Sequence, residues 1–448
     1  MLEICKLLLF FLIGFYTFKW MNINKCSQIL KFIFWAVFFR FVLAAFHEVT
    51  FLAIFGSFSI ISIYSILLVC VSFVFMSLKK IPVILNSDFY LIKLMILLMA
   101  LSAIINSNEI QSIASIIKWI FILQLSLMLI ESIKYNGIAK VLKVISIAYM
   151  YPILLVIFSI ILGVSKATEL DGSISYIGGY YHEGVISVLI LSAMSIFVLM
   201  ASEQSKRSKQ LYLVIFFWFL LVMINYRTTL LASLLIGPFV LLAIYKNSQT
   251  ILNKSIIVLL VLIIPIGIVM LGTSNLFERF QEIPDAISQF PRFLNFQEYY
   301  SQEDRQFFSG RIYIWSGYIA AALDGSEIQL LFGQGMDSWT EYFDLYAHNS
   351  FVSYFYELGI VGLGIFTILI INVYRKILKI RNSGISLSLC GVYSAFIVLN
   401  LGTMPLWQLE GIILFSLIIA ITEHYTHREE NETEKQTIHR VHTSGSRC

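Results

Sequence analysis

Residues Leu211–Tyr245 read L-Y-L-V-I-F-F-W-F-L-L-V-M-I-N-Y-R-T-T-L-L-A-S-L-L-I-G-P-F-V-L-L-A-I-Y. One membrane crossing needs about 20 apolar residues, so this run is too long for a single helix. Lys206, Arg207 and Lys209 precede it, and Lys246 and Lys254 follow it. Lysine and arginine collect on the cytoplasmic side of membrane helices, so both ends lie on one face and the chain crosses twice. The only polar cluster inside the run, Asn225-Tyr226-Arg227-Thr228-Thr229, then forms the turn of a helical hairpin on the opposite face. An arginine at that depth is costly unless something pairs with it. For Arg227 an anionic ligand is the default reading, with an internal salt bridge or a snorkelled side chain as alternatives.

The same logic applies outward in both directions. The chain has 448 residues, of which 58% are hydrophobic and only 13% charged. Soluble domains carry about 25% charged residues, which excludes that class. Further apolar runs cover 4–20, 29–46, 51–77, 88–106, 111–131, 141–163, 184–200 and 255–273, then 350–373, 384–402 and 408–422. The expected fold is all-α, a polytopic membrane bundle of 12–13 transmembrane helices with a large capping loop on the outer side. Residues 1–273 are read as membrane helices, 274–347 as the loop with short helices, 348–422 as the C-terminal membrane helices, and 423–448 as a disordered cytoplasmic tail. Lys134 and Lys140 mark a cytoplasmic loop, and Arg40 is expected to snorkel to the surface from the end of its run.

The net charge of +4 reflects the basic loops of a membrane protein and gives no reason to expect nucleic acid. The five cysteines lie in or beside apolar runs or at the extreme tail, without metal-ligand spacing, so neither a disulfide framework nor a zinc or iron–sulfur site is expected. The outer loop contains Arg279, Arg292, Arg305 and Arg311 and no lysine. From Ile312 its apolar residues recur at helical spacing, as in a helix that caps the bundle. Leu331-Phe332-Gly333-Gln334-Gly335 reads as a tight turn where backbone approaches closely. His348 and Asn349 stand where this loop meets the next apolar run. Tyr180, Tyr181, His182 and Glu183 stand at the mouth of another, where an aromatic belt is the plain alternative.

Arg227, Arg311 and His348 thus converge on the outer face. The rigid guanidinium fork gives bidentate, charge-assisted bonds to phosphate, so two arginines can hold a pyrophosphate. A histidine beside them can orient or deprotonate an incoming hydroxyl. The sequence has no paired aspartates for a divalent cation, no Walker loop and no Rossmann fingerprint. No metal and no cofactor is therefore expected. On these residues alone a transporter remains a competing reading.

The motifs resemble the O-antigen ligase and polymerase superfamily, whose shared region is often called the Wzy_C domain. That family's histidine motif is H, then N/S/Q, nine residues, G, two residues, then G/T/Y. His348-Asn349, Gly359 and Gly362 match it completely. The family's hairpin arginine usually stands in S-R-G/A or T-R-A, whereas here N-Y-R-T-T puts Thr228 in place of the small residue. The cap arginine before a hydrophobic-aromatic helix corresponds to S-G-R-I-Y-I-W, with Arg311, and the L-F-G-x-G turn is present at 331–335. The likeness is strongest over about 215–365.

The resemblance implies a GT-C-like bundle in the bacterial inner membrane, with its active site facing the periplasm and its C-terminus in the cytoplasm. It implies metal-independent inverting glycosyl transfer from a glycan on undecaprenyl pyrophosphate. By that carry-over Arg227 and Arg311 hold the pyrophosphate, and His348 positions or activates the acceptor hydroxyl. Asn349, Tyr181, His182, Glu183 and Arg305 are candidate substrate-binding residues, Glu183 also as an alternative base. The acceptor is the sugar of a lipid-linked repeat unit for a polymerase, or lipid A core for a ligase. The Y-Y-H-E-G-V-I-S run resembles polymerases more, and a chain-length regulator protein is then a further partner. A lipid-linked oligosaccharide flippase is the remaining alternative.

Overall fold

A computed structural model describes residues 1–55, 58–78, 89–167, 174–204, 207–246, 300–302, 305 and 310–445. The expected span 255–273 and the loop residues Arg279 and Arg292 lie outside them. The N-terminal part contains α1 (Leu2–Ile23), α2 (Gln28–Ala45), the single turn α3 (His47–Thr50) and a small antiparallel pair, β1 (Ala53–Phe55) with β2 (Phe58–Ser59). It continues with α4 (Ile60–Leu78), α5 (Tyr90–Asn106), α6 (Glu109–Asn136) and α7 (Ile138–Ile161). A second two-stranded pair, β3 (Lys166–Ala167) with β4 (Ile174–Ser175), leads to α8 (Glu183–Glu203) and the hairpin helices α9 (Arg207–Ile224), α10 (Arg227–Leu234) and α11 (Ile236–Lys246).

The remaining helices are α12 (Arg311–Leu323), α13 (Glu327–Phe332), α14 (Trp339–Tyr342), α15 (Ser350–Lys379), α16 (Ser383–Gly402) and α17 (Leu409–Gly445), with a 3₁₀ turn at Pro405–Trp407. Ten helices among the described residues are long and apolar enough to cross a membrane, and Tyr90–Asn106 and Lys209–Ile224 are shorter apolar helices. The chain is a polytopic, helical membrane protein. Its core lies where α8 packs against α7, α9 and α16 and α17 packs along α6, α8 and α17 being the most deeply buried of the candidate spans.

Helices α9 and α11 pack against each other across the turn that precedes α10. Asn225 turns the chain with φ of 59°, a left-handed conformation that asparagine tolerates, and α10 begins two residues later. The run 51–77 is interrupted instead of continuous: α3 and the β1–β2 pair occupy its start, and the helix proper begins at Ile60.

Two expectations are corrected. Arg40 does not reach the surface: its Nε lies 3.2 Å from Oε1 of Glu410, a carboxylate with no exposure in the first turn of α17. The buried carboxylate draws the guanidinium inward, because an unpaired charge there would be more costly than a snorkelled one. The chain also does not leave the bundle at 422. Helix α17 continues, Lys376 Nζ meets Glu423 Oε1 at 2.7 Å, and the buried Tyr425 donates its hydroxyl to Glu203. These polar anchors dock the start of the segment read as a disordered tail.

Helix α15 is broken inside. Gly359 has φ 67° and ψ −167°, so the ladder of α-helical hydrogen bonds is interrupted there. In a membrane protein the freed backbone groups must find other partners. Tyr356 O accepts from Gln334 N at 2.9 Å, and Glu357 O accepts from Gly335 N at 3.0 Å and from Ser102 Oγ at 3.3 Å. The Leu331–Gly335 turn is therefore docked into the break. A Cβ on Gly333 would fall 2.1 Å from the carbonyl carbon of Glu357, and one on Gly359 would fall 2.4 Å from that of Leu331. The glycine-rich turn and the histidine-motif glycine are one interlocked feature, which sets how the loop delivers His348 to the start of α15.

Candidate active site at the ends of the helices

The last residues before α15 are held from two sides. Trp315 Nε1 in α12 donates to Ala347 O at 2.7 Å, and the Tyr318 hydroxyl donates to Leu345 O at 2.9 Å. The Tyr318 ring stacks on Phe343 at 4.1 Å and meets Tyr356 edge-on at 5.2 Å. Helix α12 thereby clamps the strand of loop that ends in His348.

His348 itself has φ 50°, an uncommon conformation for a residue with a side chain. Asn349 then caps α15, its Oδ1 accepting from Phe351 N at 2.9 Å and Val352 N at 3.2 Å. Asparagine is among the strongest helix N-caps, which accounts locally for the His-Asn pair at this junction. The Asn349 oxygen is thus engaged with the backbone. One residue on, Ser350 Oγ donates to Asn400 Oδ1 at 2.7 Å, fastening the start of α15 to the end of α16.

Arg311 is the first residue of α12, entered through the left-handed Gly310. Its Nη1 donates to Thr228 Oγ1 at 3.0 Å. Thr228 follows Arg227 at the start of α10, so this bond joins the cap to the hairpin turn. Both ends of the bond sit on Gly402, the last residue of α16: a Cβ there would lie 2.6 Å from Thr228 Cγ2 and 3.2 Å from Arg311 Nη1. Small size at 402 is what lets Arg311 reach Thr228.

His348 lies inside this constellation. Its ring stacks obliquely on Tyr346 with centroids 3.8 Å apart. Its Nδ1 is buried and has no hydrogen-bond partner among the described residues. Burial pushes its pKa down to about 4, with the neighbouring Arg311 guanidinium and then the His182 imidazole adding to the effect. The imidazole is therefore neutral at ordinary pH. Tyr346 is pushed up to about 12, chiefly by burial and further by Tyr226, partly offset by Arg311.

His182 and Glu183 approach from α8. His182 caps that helix, its Nδ1 accepting from Gly184 N at 2.9 Å, while its Nε2 lies 3.3 Å from Glu183 Oε1. Its ring is 6.5 Å from that of Tyr226 in the hairpin turn. Glu183 is buried, and its Oε2 has no partner among the described residues. The structure thus gathers Arg227, Arg311, His348, His182 and Glu183 around the turn of the hairpin.

Two further candidates make aromatic contacts. Tyr181 packs on His47 and Phe51 at 5.5 Å and 5.6 Å, with the Lys166 ammonium 5.3 Å from its ring. Arg305 lies over the Tyr313 ring at 5.3 Å. Three site residues escaped the sequence reading. Thr228 was visible only as a departure from the family pattern, Gly402 as an ordinary glycine in an apolar span, and Tyr346 as one aromatic among many.

The arrangement offers the Arg311 guanidinium near a buried neutral imidazole, beside the hairpin turn that carries Arg227, at the ends of apolar helices. Residues 211–367, about a third of the chain, match the family model Wzy_C, described as O-antigen ligase. No curated protein matches the chain. The matched region begins in α9 and ends in α15, and so contains Arg227, Arg311 and His348 together with the interlocked glycines.

Proposed function

We propose that this chain, whose residues 211–367 match the Wzy_C model described as O-antigen ligase, is a surface-polysaccharide polymerase. The domain supports glycan transfer of the ligase or polymerase type in general. In the finer reading the donor is a glycan on undecaprenyl pyrophosphate and the acceptor is a lipid-linked repeat unit, with the site on the periplasmic side of the inner membrane. The observation that carries it is the 3.0 Å bond from Arg311 to Thr228, which brings the cap arginine to the turn that holds Arg227.

In this reading the acceptor hydroxyl oxygen attacks the anomeric carbon of the donor sugar from the face opposite the pyrophosphate. The new C–O bond forms as the bond to the pyrophosphate oxygen breaks, and the electron pair leaves with the lipid pyrophosphate. Arg227 and Arg311 stabilise the charge that gathers there, a role for preorganised donors in a site that excludes water. The hydroxyl proton passes to neutral His348. Arg311 disfavours protonated His348 before the donor arrives. A bound pyrophosphate offsets Arg311 and so favours proton uptake, which ties the base to the presence of its donor.

A ligase reading is favoured by the family description itself, O-antigen ligase. The test is reconstitution of the purified protein in lipid nanodiscs with lipid-pyrophosphate-linked repeat units, with or without lipid A core. A ladder formed from repeat units alone establishes the polymerase. A single transfer that requires the core makes the protein a ligase. Absence of any glycosidic product, together with movement of the donor across a vesicle membrane, would replace both by a flippase.

A further inference from the structure

Tyr346 is in contact with more than His348. Its ring centroid lies 5.6 Å from that of Trp407 and 6.1 Å from that of Trp339, and the two indoles stack on each other at 5.8 Å with an interplanar angle of 28°. The three rings come from separate segments: α14, the loop before α15, and the 3₁₀ turn between α16 and α17. Both tryptophans are partly exposed. The Lys118 ammonium lies 5.8 Å from the Trp407 ring.

An aromatic belt at the membrane surface is the ordinary explanation for such residues, but the indole nitrogens do not fit it. Belt tryptophans turn the N–H toward water and headgroups. Here the Nε1 atoms of Trp339 and Trp407 are both buried and have no acceptor among the described residues, and the neighbouring Gln408 Oε1 has no donor. Packed tryptophans elsewhere in this chain behave differently: Trp218 Nε1 donates to Ser233 O at 3.2 Å and Trp315 Nε1 to Ala347 O at 2.7 Å. A buried indole N–H normally finds a partner, so two orphans side by side require an explanation.

We propose that Trp339, Tyr346 and Trp407 form a pyranose-binding subsite beside His348, with the two indole N–H groups and Gln408 as its polar contacts. A pyranose ring has one or two apolar C–H faces that stack on an aromatic ring, and a rim of hydroxyls that accept and donate hydrogen bonds. An apolar platform with a few fixed polar groups is the usual composition of a small-ligand site. The Lys118 ammonium, 5.8 Å from the Trp407 ring, adds a donor at the edge. Tyr346 makes the platform continuous with the imidazole, so a sugar seated there has its reacting end at His348. This deepens the glycan-transfer reading and rests on it for the identity of the ligand.

The test uses the full-length protein in nanodiscs and the soluble oligosaccharide released by mild acid from the lipid-linked glycans of the source cells. Binding is followed by thermophoresis, independently of transfer. Trp407→Ala and Trp339→Ala are expected to weaken binding about tenfold, the size of one ring contact and one hydrogen bond lost together. Trp407→Phe and Trp339→Phe keep a ring and lose only the N–H, so their expected loss is about threefold; they decide the matter if the alanine variants do not insert. In the transfer assay, a raised KM for donor or for acceptor identifies which sugar occupies the platform. Binding and both KM values within about twofold of wild type in all inserted variants overturn the subsite. Tryptophan-dependent binding without any transfer by the wild type would leave the subsite standing and refute the proposed reaction.

Discussion

The guanidinium of Arg311 donates to the hydroxyl of Thr228 across 3.0 Å, joining residues 83 positions apart. Thr228 is also where the chain departs from the small residue usual after the hairpin arginine. The departure and the contact explain each other, since the threonine hydroxyl supplies an acceptor that a glycine or alanine lacks.

Replacement of Thr228 by Val keeps the shape and removes that acceptor. It is expected to lower transfer about tenfold, as for one hydrogen bond to a charged group. In the proposed reaction Arg311→Ala and Arg227→Ala each remove a phosphate contact, so each is expected to lose about 10²–10³-fold or more. Arg311→Lys should not restore activity, because an ammonium lacks the guanidinium fork. Initial rates of transfer in nanodiscs, at matched protein insertion, check all four. Wild-type rates for Thr228→Val would remove Thr228 from the site's support.

Gly402 limits how far Arg311 can move. Gly402→Leu places bulk where a Cβ alone would come within 2.6 Å of Thr228 and 3.2 Å of Arg311. The variant is expected to insert normally and to lose most transfer activity, with little change in melting temperature compared with its effect on rate. Retained activity would show that Arg311 functions in another position.

Two glycines of α15 should respond in opposite ways to alanine. Gly359→Ala faces positive φ and a Cβ 2.4 Å from the backbone of Leu331, whereas Gly364 has nothing within 4 Å. Gly359→Ala is expected to destabilise by about 2 kcal/mol or more through strain and overpacking. Gly364→Ala is expected to be neutral or to stabilise by about 0.5–1 kcal/mol through helix propensity. Thermal unfolding in detergent, monitored by size-exclusion chromatography, separates them.

His348 carries a definite pH signature. Its pKa in the fold is about 4, below the ordinary 6.5, because of burial and Arg311. The unfolded chain then binds a proton that the folded chain refuses, so this residue costs stability progressively as pH falls from 6.5 to about 4. His348→Gln should flatten that part of the melting-temperature profile. In wild type, the acid limb of kcat/KM, which reports free enzyme, should lie near 4 and that of kcat at higher pH, once the donor offsets Arg311. Coincident limbs at 6.5 would contradict the buried, neutral imidazole.

The pair of Arg40 with Glu410 tests the bundle itself. Glu410→Gln leaves the guanidinium, only 14% exposed, without its carboxylate. Breaking a buried pair from one side is expected to cost about 3–5 kcal/mol. The double replacement Arg40→Met with Glu410→Leu should recover most of that loss, since a well-packed apolar pair removes both desolvation penalties. A single variant as stable as wild type would mean that Arg40 reaches water.

By itself the sequence determined the membrane class, the positions of most spans and the hairpin at Arg227, because hydrophobic length and basic flanks are properties of contiguous residues. Position at the mouth of an apolar run singled out His348 and Asn349, the Leu331–Gly335 turn was legible from its glycines, and the family resemblance added Gly359 and Gly362. It could not show that this turn fills the break at Gly359, because that depends on two segments meeting at backbone contact. Nor could it pair Arg40 with Glu410, place Gly402 under Arg311, or pack Tyr181 on His47. In each case the partner lies far along the chain on another helix. Local periodicity specifies which face of a helix is apolar, but only the packing of helices decides which polar groups meet across it.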